Sequence, residues 1–154
     1  MAHLPWLSAK LKQDLKDRHL WLSRLLIGLV LGWNLECAVA FLSRPTAYLI
    51  AFGLSGLSGE TALRGIGILF LMWNVPYLAA FLHPRQHHLS LYEAIVMQSL
   101  GLIGETALLF TLPAGEVSLH TSITRFILFD GAGLFLLLLA GAIILTFPAN
   151  PTSH

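Results

Sequence analysis

The chain has 154 residues, of which 56% are hydrophobic and 11% charged, with a formal net charge of +1 and a mean hydropathy of +0.74. A soluble domain averages about 25% charged residues, so the composition is that of an integral membrane protein, and near-neutrality without a basic cluster argues against a nucleic-acid partner. The single cysteine, Cys37, excludes an internal disulfide, a Cys-x-x-Cys redox pair and a thiolate zinc site.

In chain order, residues 1–18 form a first unit. Leu4, Leu7, Leu11 and Leu15 recur at helical spacing, Pro5 stands near the start, and Lys10, Lys12, Asp14 and Lys16 fall elsewhere around the axis. This pattern predicts an amphipathic helix over 5–18 lying on the membrane surface, held by Trp6 and the basic residues. A solvated cytoplasmic tail with helical tendency is the alternative. The early charges leave no apolar core for a cleaved signal peptide.

Four stretches follow that can cross about 30 Å of hydrocarbon at 1.5 Å per residue: 19–42, 60–82, 91–112 and 121–147. Pro84, Pro113 and Pro148 come after the last three, where proline stops a helix. Ser58, and Thr121 or Ser122, are the expected N-caps of the second and fourth. Between the first two spans, residues 45–54 are apolar but too short to cross. The glycines and serines at Gly53, Ser55, Gly56, Ser58 and Gly59 break them from the second span, which predicts a short interfacial or re-entrant helix followed by a turn. The fold expected is therefore all-α: a polytopic four-transmembrane-helix bundle over 19–147, with the N-terminal amphipathic segment 1–18 and a tail at 148–154. Lys10, Lys12, Lys16, Arg18, Arg24 and Arg85 gather on one side, which the positive-inside rule makes cytoplasmic. Both termini are expected inside, in a plasma (inner) membrane.

Within these spans lie residues that do not belong in lipid. Glu60 and Arg64 stand at i and i+4, so on a helix they share a face, and Gly67, Leu71 and Asn74 continue it. At 1.5 Å per residue, Arg64 and Arg125 lie on the order of 6 Å below the outer ends of their helices, Glu36 and Glu105 roughly 10 Å, and Asp130 roughly 13 Å. An unpaired charge at mid-bilayer costs about 2.5–3.5 kcal/mol even on the lenient insertion scale, so all of them are expected to point inward as one cluster: Glu36, Glu60, Arg64, Glu105, Arg125 and Asp130. The row Gly28, Gly32, Glu36, Ala40 is a small-xxx-small ridge of the kind that lets helices approach closely, and Gln98, Gly101, Glu105 repeats it. A second, neutral pair is expected nearer the cytoplasm, where Asn74 and Gln98 reach similar depth and can exchange an amide hydrogen bond. Pro76, which cannot donate a helical hydrogen bond, predicts a kink there. Such a cluster reads either as an ion-pair network fixing packing or as a site for a polar head group, small ligand or proton relay.

Other chemistries find little support. His83, His87 and His88 sit in one loop without a ligand-spaced carboxylate, so no metal site is expected. No histidine lies deep in a span, which argues against bis-histidine haem, and no cofactor is called for. Trp21, Trp33, Trp73 and Tyr77 read as lipid-facing or packing aromatics. No Ser/His/Asp set exists at catalytic depth, which weighs against an enzyme without deciding the point. The repeated pentapeptide Gly-Glu-Thr-Ala-Leu, at Gly59 and Gly104, falls on helices of opposite direction and is treated as chance.

Four spans in about this length, the arginine opening a glycine-notched helix in Arg64-Gly65-Ile66-Gly67-Ile68-Leu69-Phe70-Leu71, and the pair Gly104-Glu105 resemble the DoxX-like membrane proteins. That resemblance implies the four-helix architecture and, for some members, association with thiosulfate oxidation and quinone reduction. It implies no catalytic residue here. The N-terminal segment, residues 45–54 and the Asn74-x-Pro76 element depart from the pattern.

Three functions follow as expectations. The leading one is an accessory or assembly subunit of a larger membrane complex, with the lipid bilayer and other membrane subunits as its partners. A second is a small carrier or ligand-binding protein using the charged cluster, and a third is a DoxX-like quinone-linked oxidoreductase subunit. A vestibule reaching the charges favours the second reading, and tightly interlocked side chains favour the first.

Overall fold

The computed structural model describes the backbone of residues 5–113 and 115–146, and side chains from residue 17 onward. Residues 1–4, the stop expected at Pro148, the tail 148–154 and the apolar and basic faces expected over 5–16 lie outside what is described. Helix α1 (Pro5–Ser43) is followed by two 3₁₀ turns, η1 (Pro45–Tyr48) and η2 (Ile50–Phe52), and then by α2 (Gly56–Leu82), α3 (His88–Thr111) and α4 (Val117–Thr146). Four of these segments, Asp17–Ser43, Gly56–Leu82, His88–Thr111 and Val117–Thr146, are long and apolar enough to cross a membrane. The chain is an all-helical integral membrane protein.

The expected N-terminal helix is present in the backbone and runs into the first span without a break. The short segment between the first two spans is η1 and η2. Gly53, at φ +62°, closes η2 by donating its N–H to the Ile50 carbonyl, and Gly56, also at φ +62°, opens α2. Both need a left-handed backbone that residues with a Cβ rarely adopt.

Two expected caps are displaced. Ser55, not Ser58, flanks α2, and it makes no side-chain cap bond. The fourth helix starts at Val117, so Thr121 and Ser122 lie inside it, where their hydroxyls donate to the Val117 carbonyl (2.9 Å) and the Ala51 carbonyl (2.7 Å). The longer start also deepens Arg125 and Asp130, to roughly 12 and 20 Å below the end of α4 at 1.5 Å per residue. Pro76 lies within α2, which continues through it.

The helices form an antiparallel ring in which each packs on its two neighbours and, among the described residues, not on the diagonal one. Glycines set the close approaches. A Cβ at Gly67 would stand 2.9 Å from Leu42 Cγ and 3.0 Å from the Ala38 carbonyl oxygen, so α2 lies directly on α1 there. At the other end of that pair, Arg24 donates to the Leu82 carbonyl at 2.6 Å and satisfies the end of α2. Ser23 reaches α4 at the Ala140 carbonyl, 3.4 Å away.

The bundle has two unlike halves. Towards the chain termini, Leu26, Ile27, Val30, Leu31, Tyr77, Ala80, Leu91, Ala94, Leu137 and Ala140 close into one apolar core. Towards the end carrying η1 and η2, hereafter the η end, Phe41 is 2% exposed among the rings of Tyr48, Phe52, Phe70 and Phe126, with centroids 5.1–6.4 Å away. Between core and η end the four helices part around a cleft.

Candidate functional site

The cleft begins where α3 meets α4. Gln98 and Gly101 lie one turn apart on α3, as Asp130 and Gly133 do on α4, and because the helices are antiparallel each polar side chain lies over the other helix's glycine. A Cβ on Gly133 would stand 2.7 Å from Gln98 Nε2, and a Cβ on Gly101 would collide with the Asp130 carboxylate. Each glycine therefore makes room for the opposing polar group. Gln98 Nε2 then donates to Asp130 Oδ1 at 2.8 Å. Gln98 Oε1 lies 2.5 Å from the Tyr77 hydroxyl of α2, which is also 3.2 Å from the Ala94 carbonyl. With one proton to give, the hydroxyl serves the nearer oxygen, and it accepts in turn from Trp73 Nε1 at 3.3 Å. A buried polar chain thus runs Trp73, Tyr77, Gln98, Asp130 across three helices. This direction also orients the Gln98 amide, because only Nε2 can donate to the carboxylate.

Beside that chain opens a space of about 220 Å³, lined by Asn34 from α1, Ile66, Leu69, Phe70 and Trp73 from α2, Gln98, Gly101 and Glu105 from α3, and Asp130 from α4. Glu105 stands half-buried in its wall, and its Oε2 has no hydrogen-bond partner. Two carboxylates face this space and, among the described residues, no lysine or arginine does. From the helix ends, Glu105 lies roughly 9 Å and Gln98 roughly 20 Å deep, so the polar strip descends to about the bilayer midplane.

The single inward cluster expected from the sequence is corrected. Glu105 and Asp130 come together, but Glu36, Arg64 and Arg125 are exposed on the bundle surface. Arg64 is 52% exposed and, among the described residues, forms its ion pair with Glu60, 26% exposed, at 3.8 Å; it pairs with neither Glu36 nor Glu105. The expected Asn74–Gln98 amide pair does not form either. Asn74 turns back to the Phe70 carbonyl of its own helix at 2.7 Å, leaving its Oδ1 buried without a partner, while Gln98 is taken by Tyr77 and Asp130.

Two members of the site escape sequence reasoning. Asn34 is 2% exposed and Tyr77 fully buried; Asn34, an amide inside an apolar run, was the available signal. Among the described residues no group of three or more His, Cys, Asp or Glu side chains could hold a metal ion. His83 and His87 sit beside each other at the turn between α2 and α3, with ring centroids 6.1 Å apart.

Fold and site together define a four-helix integral membrane protein with an acid-lined cleft inside the membrane. No protein-family model matches the chain, and no curated protein or solved structure matches it.

Proposed function

We propose that this protein is a small membrane ligand-binding protein or carrier, and that the cleft between the four helices receives a compact cationic solute. The observation that carries the reading is an intramembrane space of about 220 Å³ faced by Glu105 and Asp130 with no lysine or arginine among the described residues of its wall. Protein interiors close-pack, so a network kept only for assembly has no need of such a space. An ionised carboxylate in the membrane is costly without compensation, and a positively charged guest supplies it. Trp73 and Phe70 add ring surface, which attracts an organic ammonium through its quadrupole.

The test is a fluorescence titration of the purified protein in lipid nanodiscs with ethylammonium, tetramethylammonium and benzylammonium, since Trp73 lines the cleft. The expected result is saturable binding that weakens at least about tenfold in Glu105→Gln and Asp130→Asn, roughly the loss of one charge-assisted contact. Saturation equal in parent and variants, or none in a fully helical parent, would refute the reading.

A second reading, the accessory subunit, is favoured by a different observation. Glu36 faces outward from α1, one turn beyond Gly32, where an added Cβ would meet no other side chain or helix within 4 Å. A carboxylate projecting from a span beside an open notch suits a partner helix. A photo-crosslinker at position 36 should then give one discrete protein adduct in native membranes, whereas lipid adducts alone would sink that reading.

A further inference from the structure

At the η end a second pocket, of about 210 Å³, opens between α1, η2 and α4. Its walls are the rings of Phe41, Tyr48, Phe52, Phe126 and Phe129. They pack edge to face and tilted, with Phe41 and Phe52 centroids 5.6 Å apart at 85° and Phe52 and Phe126 5.9 Å apart at 58°. The Ser122 hydroxyl, also in the wall, is committed to the Ala51 carbonyl at 2.7 Å, which ties η2 to α4 and holds the pocket's shape. The interior is thus mainly ring surface, with the Cys37 thiol and the Tyr48 hydroxyl as its remaining polar groups, and is suited to a largely apolar guest.

Its mouth is different. Arg125 lines the pocket, is exposed, and has no acceptor among the described residues. Two acids adjoin the pocket wall in sequence, Glu36 beside Cys37 and Asp130 beside Phe129; among the described residues neither forms an ion pair with Arg125, Glu36 being exposed and Asp130 turned to Gln98. Arg125 sits roughly 12 Å below the end of α4, a depth from which its long side chain can run along apolar surface and deliver the guanidinium to the interface. There it meets the level of lipid phosphates, for which a planar fork of donors is well matched.

We propose that this pocket takes an acyl chain of an anionic phospholipid from the adjoining leaflet, with the lipid phosphate held by Arg125. The occupant follows from the two halves of the site. A wall of rings accepts hydrocarbon, and an unpaired guanidinium at the mouth selects negative charge. The leaflet supplies such a molecule sideways, without a passage through water. This site is separate from the acid-lined cleft and stands whether or not that cleft binds a cation.

The experiment places the full chain in phosphatidylcholine nanodiscs doped with lipid brominated on the acyl chain, either phosphatidylglycerol or phosphatidylcholine. Trp33, whose ring centroid is 6.0 Å from that of Phe129, is the reporter, and Trp33→Phe identifies its share of the quenching. The expected result is about a fivefold preference for brominated phosphatidylglycerol, the size of one basic residue's attraction to anionic lipid. It should fall to none in Arg125→Gln and persist in Arg125→Lys. Because Arg125 makes no hydrogen bond or ion pair among the described residues, Arg125→Gln should keep the parent's helicity, and circular dichroism checks this. Equal quenching by the two lipids in the parent would overturn the proposal, as would a preference unchanged in Arg125→Gln. Quenching by brominated oleate without any by brominated phosphatidylglycerol would also overturn it, by making the guest a free fatty acid.

Discussion

Gly101→Ala adds one methyl group at the point where α3 and α4 exchange polar side chains. Its Cβ would occupy the position of the Asp130 carboxylate, whose Cγ is only 3.4 Å away. Asp130 is short and tethered to Gln98 Nε2 at 2.8 Å, so it can yield only by breaking that bond. A hydrogen bond to a charged group contributes about 1.5–3 kcal/mol in water-soluble proteins, and interhelical bonds inside membranes average nearer about 0.6. Overpacking adds about 1–3 kcal/mol, while alanine's helix propensity returns about 1. The net expectation is a loss of about 1–3 kcal/mol. Gly104→Ala, almost one turn further along the same helix, meets nothing within 4 Å and should gain up to about 1 kcal/mol from the same propensity. The two variants, unfolded reversibly by SDS titration in mixed micelles and followed by circular dichroism, should therefore move in opposite directions. In an Asp130→Ala background the cost of Gly101→Ala should vanish, and the double-mutant cycle isolates the coupling. If Gly101→Ala and Gly104→Ala shift stability equally, or the cycle shows no coupling, the glycine is not clearing space for the carboxylate and the account of the α3–α4 seam fails.

Three further outcomes are expected in the same assay. Gly67→Val places a branched side chain against the Ala38 carbonyl and Leu42, and because backbone cannot swing aside it should destabilise by about 2 kcal/mol or more; parent-like stability would show that α1 and α2 can separate freely. Tyr77→Phe removes the donor to Gln98 and should cost about 1 kcal/mol, with a blue shift of Trp73 emission if the indole also loses its acceptor; an unchanged spectrum and stability would break the polar chain at that link. Arg64→Leu should change stability by less than about 1 kcal/mol, as exposed ion pairs do, whereas a loss of about 3 kcal/mol or more would reveal buried pairing.

The spans were legible because apolar length and the stops at Pro84 and Pro113 are one-dimensional signals that survive any packing. The depth of Glu105 was legible for the same reason, whereas that of Asp130 was understated because α4 starts at Val117 rather than at Thr121. The direction in which a side chain points was not: each residue turns the helix by about 100°, so depth places Glu36, Arg64 and Glu105 in one layer without saying which face lipid and which face the cleft. Arg64 illustrates this. Glu60, one turn away, supplies its ion pair locally, and nothing in the sequence reveals that the pair looks outward. Asn74 was misread by a related route, since an amide inside a helix can satisfy its N–H₂ on the carbonyl four residues back and has no need of a partner across the bundle. The Tyr77–Gln98–Asp130 chain depends on the mutual register of three helices. That register is set by where Gly101 and Gly133 let α3 and α4 touch, a property of contact surfaces rather than of spacing along the chain.

The unbroken course of α1 carries a mechanical consequence. Pro5–Ser43 spans 39 residues, about 58 Å at 1.5 Å per residue, against about 30 Å of hydrocarbon. The portion preceding Asp17 is thus a stiff shaft of roughly 18 Å coaxial with the helix that presents Asn34 to the cleft. A shaft transmits torque. Inserting one residue before Asp17 would rotate the part that precedes the insertion by about 100° about the axis relative to Asn34, while lengthening the shaft by only about 1.5 Å. Position along the helix axis and angular phase at the cleft are consequently geared together through a single element.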